Sequence, residues 1–316
     1  MKTLIALIVF GSVLSFAQSH PPASSSTQTA PAAADTGEEP DVPVAKPANS
    51  AGESVESRTT AAWDMFQGAL SDTRTQAQIT RIDAIVALGT LDDFPKAQGW
   101  LRDAQKDQDR YIRLAVVASM ASSKKAIFLP DLKQALNDNA AEVKFAAAVG
   151  LWKMNDRSGE DILEAVLARD QKATRGAVSA EKHEANQDLH SPSKLAAIGA
   201  EQGAYALLGP FGFGLSALRG RKGNGIPPRV LAITLLKEDS SSTSMKGFVD
   251  ALDDPDPAVR TAAAQALGSY STKESNSALS DAMYDSKPGV RLMAAASYIR
   301  ATHPQGPHVT TGRAAQ

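Results

Sequence analysis

The sequence predicts an all-α fold, a solenoid of about seven helix–turn–helix repeats carrying one glycine-rich insertion, and three observations lead there. The first is composition: 43% of the 316 residues are hydrophobic but only 5% are aromatic, and alanine supplies much of the apolar share. Alanine is the best helix former and lets neighbouring backbones approach, whereas sheets draw on β-branched and aromatic residues that are sparse here. The second is a column of basic residues, each near the start of an apolar, Ala-rich stretch: Arg81, Arg113, Lys144, Arg175, Arg229, Arg260 and Arg291. Their spacings are 32, 31, 31, 54, 31 and 31, the long one being a period plus 23 residues. A period in this range marks stacked supersecondary units. The third observation is the anatomy inside each period.

Eight residues before the basic position stands an apolar residue that ends a first helix, as at Leu136, Leu167, Leu252 and Met283. Six before it stands an acid: Asp107, Asp138, Asp254 and Asp285. After it, small and apolar residues recur at helical spacing, as in Ala262, Ala263, Ala266 and Leu267. The turns carry helix-start signals. Asp256 is placed as an N-cap ahead of Pro257, whose missing N–H costs nothing at the first helical position. Asn139 with Glu142 reads as a capping-box variant. Pro228 and Pro288 repeat the proline device, Pro288 in the register of Pro257, three residues before its arginine.

These residues resemble the HEAT repeats, and more narrowly the short HEAT-like units of phycobilisome lyases, with their D-x-x-x-x-V-R-x-x-A-x-x-A-L-G pattern. The best matches are Asp254 through Gly268 and Asp285 through Ala296, and the resemblance spans about residues 61–302. It implies that the acidic and basic columns form a ladder tying one repeat to the next: Asp107, Arg113, Asp138, Lys144, Asp254, Arg260, Asp285 and Arg291. At Arg81 and Arg175 the acid six residues upstream is replaced by Thr75 and Arg169, which puts the ladder in doubt there. Lyase activity does not follow from repeat similarity, because function lives in sites and not in folds.

The flanks read differently. Residues 1–17 have the form of a signal peptide, with Lys2, an apolar run from Leu4 to Phe16 and a small-x-small site at Ser15-Phe16-Ala17. Export is the expected localisation, periplasmic or otherwise extracytoplasmic. Residues 18–57, rich in Pro, Ala, Ser and Thr with six acids against Lys46, are expected to be a disordered acidic linker. The repeats are placed at 58–302, and 303–316 is expected to be a disordered tail. There is no cysteine, which excludes disulfides, lipoprotein anchoring, iron–sulfur clusters and thiolate zinc sites.

The insertion falls within about residues 183–225. From Ala196 to Leu218 it is nearly uncharged, with Glu201 as its acid, and Arg219, Arg221 and Lys222 follow at once. Two readings stand. In one, Ser193–Leu208 is the first helix of the interrupted repeat and 209–225 is a glycine-rich loop. In the other, Phe211 and Phe213 with Arg219, Arg221 and Lys222 contact a partner or lipid headgroups. Gly209, Pro210, Gly212 and Gly214 argue against a spanning helix.

Functional motifs do not survive inspection. Gly212 through Ala217 matches a loose G-x-G-x-x-A pattern but lacks the preceding strand that a dinucleotide site needs. His183 and His190 are seven apart, not the four that sets two imidazoles on adjacent turns. No nucleophile constellation appears, and no cofactor is implied. A net charge of −2 disfavours nucleic acid, whose binding draws on clustered Lys and Arg. The expectation is a non-enzymatic scaffold whose stacked second helices present a concave surface to a protein partner. The alternative is a membrane-associated adaptor that contacts the bilayer through 196–222.

Overall fold

The computed structural model describes Ala45, residues 53–167, 227–239 and 241–303, all within the compact unit Gly37–Gln316. The expected signal peptide, most of the expected linker, Arg175, the insertion with Phe211, Phe213, Arg219, Arg221 and Lys222, and the residues from 304 lie outside the described residues. The described chain is helical throughout apart from turns: α1 (Val55–Ser71), α2 (Gln78–Gly89), α3 (Pro95–Ala104), α4 (Arg110–Ser123), α5 (Leu129–Ala135), α6 (Ala141–Lys153), helical residues 160–167, α7 (Pro228–Leu236), α8 (Ser242–Ala251), α9 (Pro257–Leu267), α10 (Lys273–Ala282) and α11 (Pro288–Thr302).

Side chains set the helix starts. Asp256 caps α9 by accepting from the Ala258 amide at 2.9 Å, with Pro257 first in the helix. Asp109 does the same for α4 through Tyr111 at 2.8 Å, and Ser241 caps α8 through Ser244 at 3.1 Å. Thr272 and Ser275 form a reciprocal capping box at α10. Such caps contribute about 1 kcal/mol each. Two expectations fail here. Asn139 is not a cap: α6 starts after Ala140, whose amide is held by Asp138 at 2.8 Å, and the Asn139 amide oxygen instead accepts from Arg113 at 2.6 Å. The linker also ends earlier than expected, because Ser54 caps a helix that begins at Val55.

The basic-column helices stack side by side, but not in chain order. α2 packs on α4 and α4 on α6; separately, α7 packs on α9 and α9 on α11. The two series join through the chain's ends, since α11 packs against both α1 and α2. The Arg300 guanidinium donates to the Thr90 carbonyl at 3.3 Å across 210 residues of sequence. The spatial order is therefore α7, α9, α11, α2, α4, α6, with the last repeat seated on the first. His303 is correspondingly not in a loose tail: its ring packs edge-on to Phe94 at 5.5 Å, with Nδ1 2.9 Å from the Ile299 carbonyl.

Close approach at the junctions is set by small residues in one register. The sixth residue after the basic position meets the eighth residue of the preceding helix. A Cβ on Gly89 would lie 2.7 Å from the Ser119 side chain, one on Gly150 2.5 Å from Ala121, and one on Gly268 3.0 Å from Ser297. Backbones this close let the alanine-rich faces interlock with little void. The runs Ile112–Ala121 and Leu292–Ile299 are buried on every side. The stacked second helices are thus interior, and the expected open concave face is not formed by α4, α9 or α11. Their pervasive alanine reflects burial between neighbours.

Candidate functional site

The acidic and basic columns meet across repeats, and the geometry explains the spacing. Arg113 donates from Nε and Nη2 to the two carboxylate oxygens of Asp138, 25 residues on, at 2.8 and 2.9 Å. Its Nη1 reaches back to the carbonyls of Asp107 and Gln108 at 2.8 and 3.0 Å. Arg260 repeats the pattern with Asp285 at 2.7 and 2.9 Å and with the Asp254 carbonyl at 2.9 Å. Arg291 donates to the carbonyls of Asp285 and Ser286 at 2.8 and 2.9 Å. Arg113 and Arg260 therefore bond both the backbone of their own turn and the carboxylate of the next repeat, a task for a planar fork with five donors.

The carboxylates have a second duty. Asp107, Asp138, Asp254 and Asp285 each accept the amide two residues on at 2.8 Å, which folds the turn that launches the following helix. Burial alone would raise the Asp138 pKa, but the Arg113 guanidinium and the Ala140 amide offset it and hold the carboxyl below the ordinary range. Arg113 is in turn pushed up by its hydrogen bond to Asp138.

Because the acid comes from the following repeat, Arg81 pairs with Asp107 even though Thr75 stands in the upstream position. Arg229 pairs with Asp254 in the same way. The doubt over Arg81 came from seeking its acid upstream. For Lys144 the corresponding downstream residue is Arg169, which offers no carboxylate. A second rung, not legible as a column, joins the first helices: Arg102 Nε lies 3.2 and 3.1 Å from the Asp131 oxygens. An open cleft of about 520 Å³ runs along the ladder between Lys106 and Asn139, but its charged groups are turned toward one another.

Apolar exposure lies elsewhere. Trp152, at the eighth position of α6, where α2, α4 and α9 carry Gly89, Ala121 and Gly268 and α11 carries Ile299, is 42% exposed. The Arg157 guanidinium lies 3.8 Å from the centre of its ring. Val166 and Leu167 are exposed on the helical segment that follows. At the opposite edge of the stack, α7 exposes Leu231, Leu235 and Leu236. A third feature is aromatic: Lys96 sits 4.9 Å from the rings of both Trp63 and Trp100, which meet edge-on at 5.5 Å.

Among the described residues no helix is long and apolar enough to cross a membrane, and no group of His, Asp or Glu is placed to hold a metal ion. The stack and its ladder define a helical-repeat protein. Residues 66–152 and 227–300, together just over half of the chain, match the family of HEAT repeats, and the chain belongs to that family. Among solved structures, human deoxyhypusine hydroxylase in complex with glycerol is similar at 16% identity and a TM-score of 0.32, over 78% of this chain and 97% of that one. No curated protein matches the sequence.

Proposed function

We propose that this protein is an exported, non-enzymatic scaffold that binds a protein partner through its helical-repeat surface, with the Trp152 edge as the centre of contact. The observation that carries the reading is Trp152 itself. A half-exposed indole with a guanidinium stacked on it stands where α2, α4 and α9 keep glycine or alanine. Tryptophan and arginine are the side chains that most often dominate protein–protein binding energy. Val166 and Leu167, on the helical segment that follows, are also exposed apolar side chains.

The ladder supports the structural half of this reading, since its charges satisfy one another and leave little to spend on a substrate. Among the described residues the histidine is His303, engaged with Phe94 and the Ile299 carbonyl, and catalytic chemistry gains no support from it. Net charge of −2 supports a protein partner over nucleic acid. Export rests on the leader-like first 17 residues.

The test is a photo-reactive phenylalanine analogue at position 152 of the full-length protein in its native cells, followed by fractionation. The expected outcome is an adduct of one discrete mass in the exported fraction, lost in Val166→Asp with Leu167→Asp while the protein itself persists. No adduct, or a smear unaffected by those changes, sinks the Trp152 surface. Retention of the protein in the cytoplasm sinks export.

A further inference from the structure

The seat of Lys96 is built to hold a cation. Its ammonium stands 4.9 Å from the ring centres of both Trp63 and Trp100, whose planes meet at 80°. Indole faces are electron-rich, so a corner made of two of them attracts positive charge. Lys96 and Trp100 are one turn apart on α3, which is an ordinary helix pair. The second indole is not explained that way, because Trp63 comes from α1. Both indoles are partly buried against the core, and Trp63 is braced by Phe66 and Phe94 at 6.2 and 6.3 Å. The walls are therefore fixed, whereas the occupant is the tip of an exposed, four-carbon side chain.

The corner continues into a cavity. Trp100 also lines a cleft of about 340 Å³ between α1 and α3, with Gln67, Leu70 and Asp103 among its walls. That volume is at the small end of ligand pockets. Arg81 and Asp107, which line it too, pair with each other. Asp103 is left as the cleft's own charge: its side chain is 78% exposed and its contact with Lys106 is a loose one of 3.6 Å. A carboxylate thus stands beside an aromatic corner.

We propose that the Trp63–Trp100 corner and its adjoining cleft bind a small organic cation with a quaternary ammonium head, and that Lys96 is the internal occupant it displaces. The head takes the place of the Lys96 ammonium between the indoles, and the rest of the molecule lies in the cleft past Asp103. A primary ammonium such as that of Lys96 is strongly hydrated and leaves the corner for water at little cost. A quaternary ammonium gives up water more readily, and aromatic corners are what recognise it. This site is separate from the Trp152 surface, and either stands without the other.

The test titrates choline into the purified full-length protein carrying Trp152→Phe, so that Trp63 and Trp100 are the remaining indoles and report by fluorescence. Saturable quenching is expected, at least about tenfold weaker for the uncharged isostere in which a tert-butyl group replaces the trimethylammonium. Lys96→Ala removes the competing cation and should tighten choline binding at least about threefold. Asp103→Asn should weaken it about twofold at low salt. Both residues are exposed, so neither change threatens the fold. No saturation, or an equal response to choline and its isostere, overturns the proposal. So does Lys96→Ala that weakens binding or leaves it unchanged, since Lys96 then serves only to join two helices. An unchanged constant in Asp103→Asn overturns the cleft's part in the site.

Discussion

The inner junctions of the stack and its two edges use the same register for opposite ends. Between α2 and α4, α4 and α6, and α9 and α11, the facing sixth and eighth positions hold glycine paired with serine or alanine, and the helices close to contact. At the edges the same register holds Trp152 and Leu235, both exposed. At these three junctions close approach is set by small side chains at two positions, whereas α11, also inside the stack, carries Ile299 at its eighth position. Close packing and the ladder are thus carried by different columns of one repeat.

The largest expected effect breaks an inner junction through its ladder. Arg113→Ala removes the bidentate partner of a carboxylate that is about one-eighth exposed and should cost about 4 kcal/mol in urea unfolding, because the orphaned Asp138 charge stays buried. Next is the packing itself. Gly150→Leu drives a side chain into Ala121 from a Cβ position already 2.5 Å away and should cost about 3 kcal/mol. Ala121→Gly in the same chain should recover part of that loss, since the pair shares one contact.

Acid provides a smaller probe. Asp138 titrates lower in the folded chain than the ordinary carboxylate value near 3.9. Its contribution is therefore complete above about pH 4 and is lost as pH falls through the folded value. Without Arg113, burial dominates and raises the carboxyl, so the stability gap between wild type and Arg113→Ala should narrow from pH 7 to pH 3. A constant gap would show that the ion pair is not what Arg113 contributes. The smallest effect belongs to the edge: Arg157→Ala releases an exposed cation–π contact at Trp152 and should cost about 0.5 kcal/mol in stability. A large loss there would mean that the edge is structural after all.

Much of the architecture was legible because the repeat is local. The 31-residue period, the Asp256 cap with Pro257, and the ends of the first helices at Leu136, Leu252 and Met283 depend on residues a few positions apart. The ladder's residues were legible too, but not their partners. A side chain six residues from an acid looks like its mate in one dimension, whereas stacking brings the acid 25 residues onward closer. Asn139 misled for the same reason, because its oxygen answers Arg113 of the previous repeat and not its own helix. Trp152 and Leu235 carried a usable signal, large residues where several other repeats hold small ones, which only the close contacts at Gly89, Gly150 and Gly268 made readable.

The sequence by itself determined that the chain is helical, that its unit is a capped helix pair, and that a basic residue recurs in every unit with an aspartate six residues before it in four of the seven. These follow from propensity, capping and periodicity, which act within a single repeat. The tertiary structure decided that α11 seats on α1 and α2, so that among the described residues the first and last repeats are interior and α6 and α7 stand at the two ends. Contacts such as Arg300 to Thr90 join residues 210 apart. No local pattern specifies them, because any helix with a small-residue face can in principle receive another, and the choice is made by the fit of whole faces.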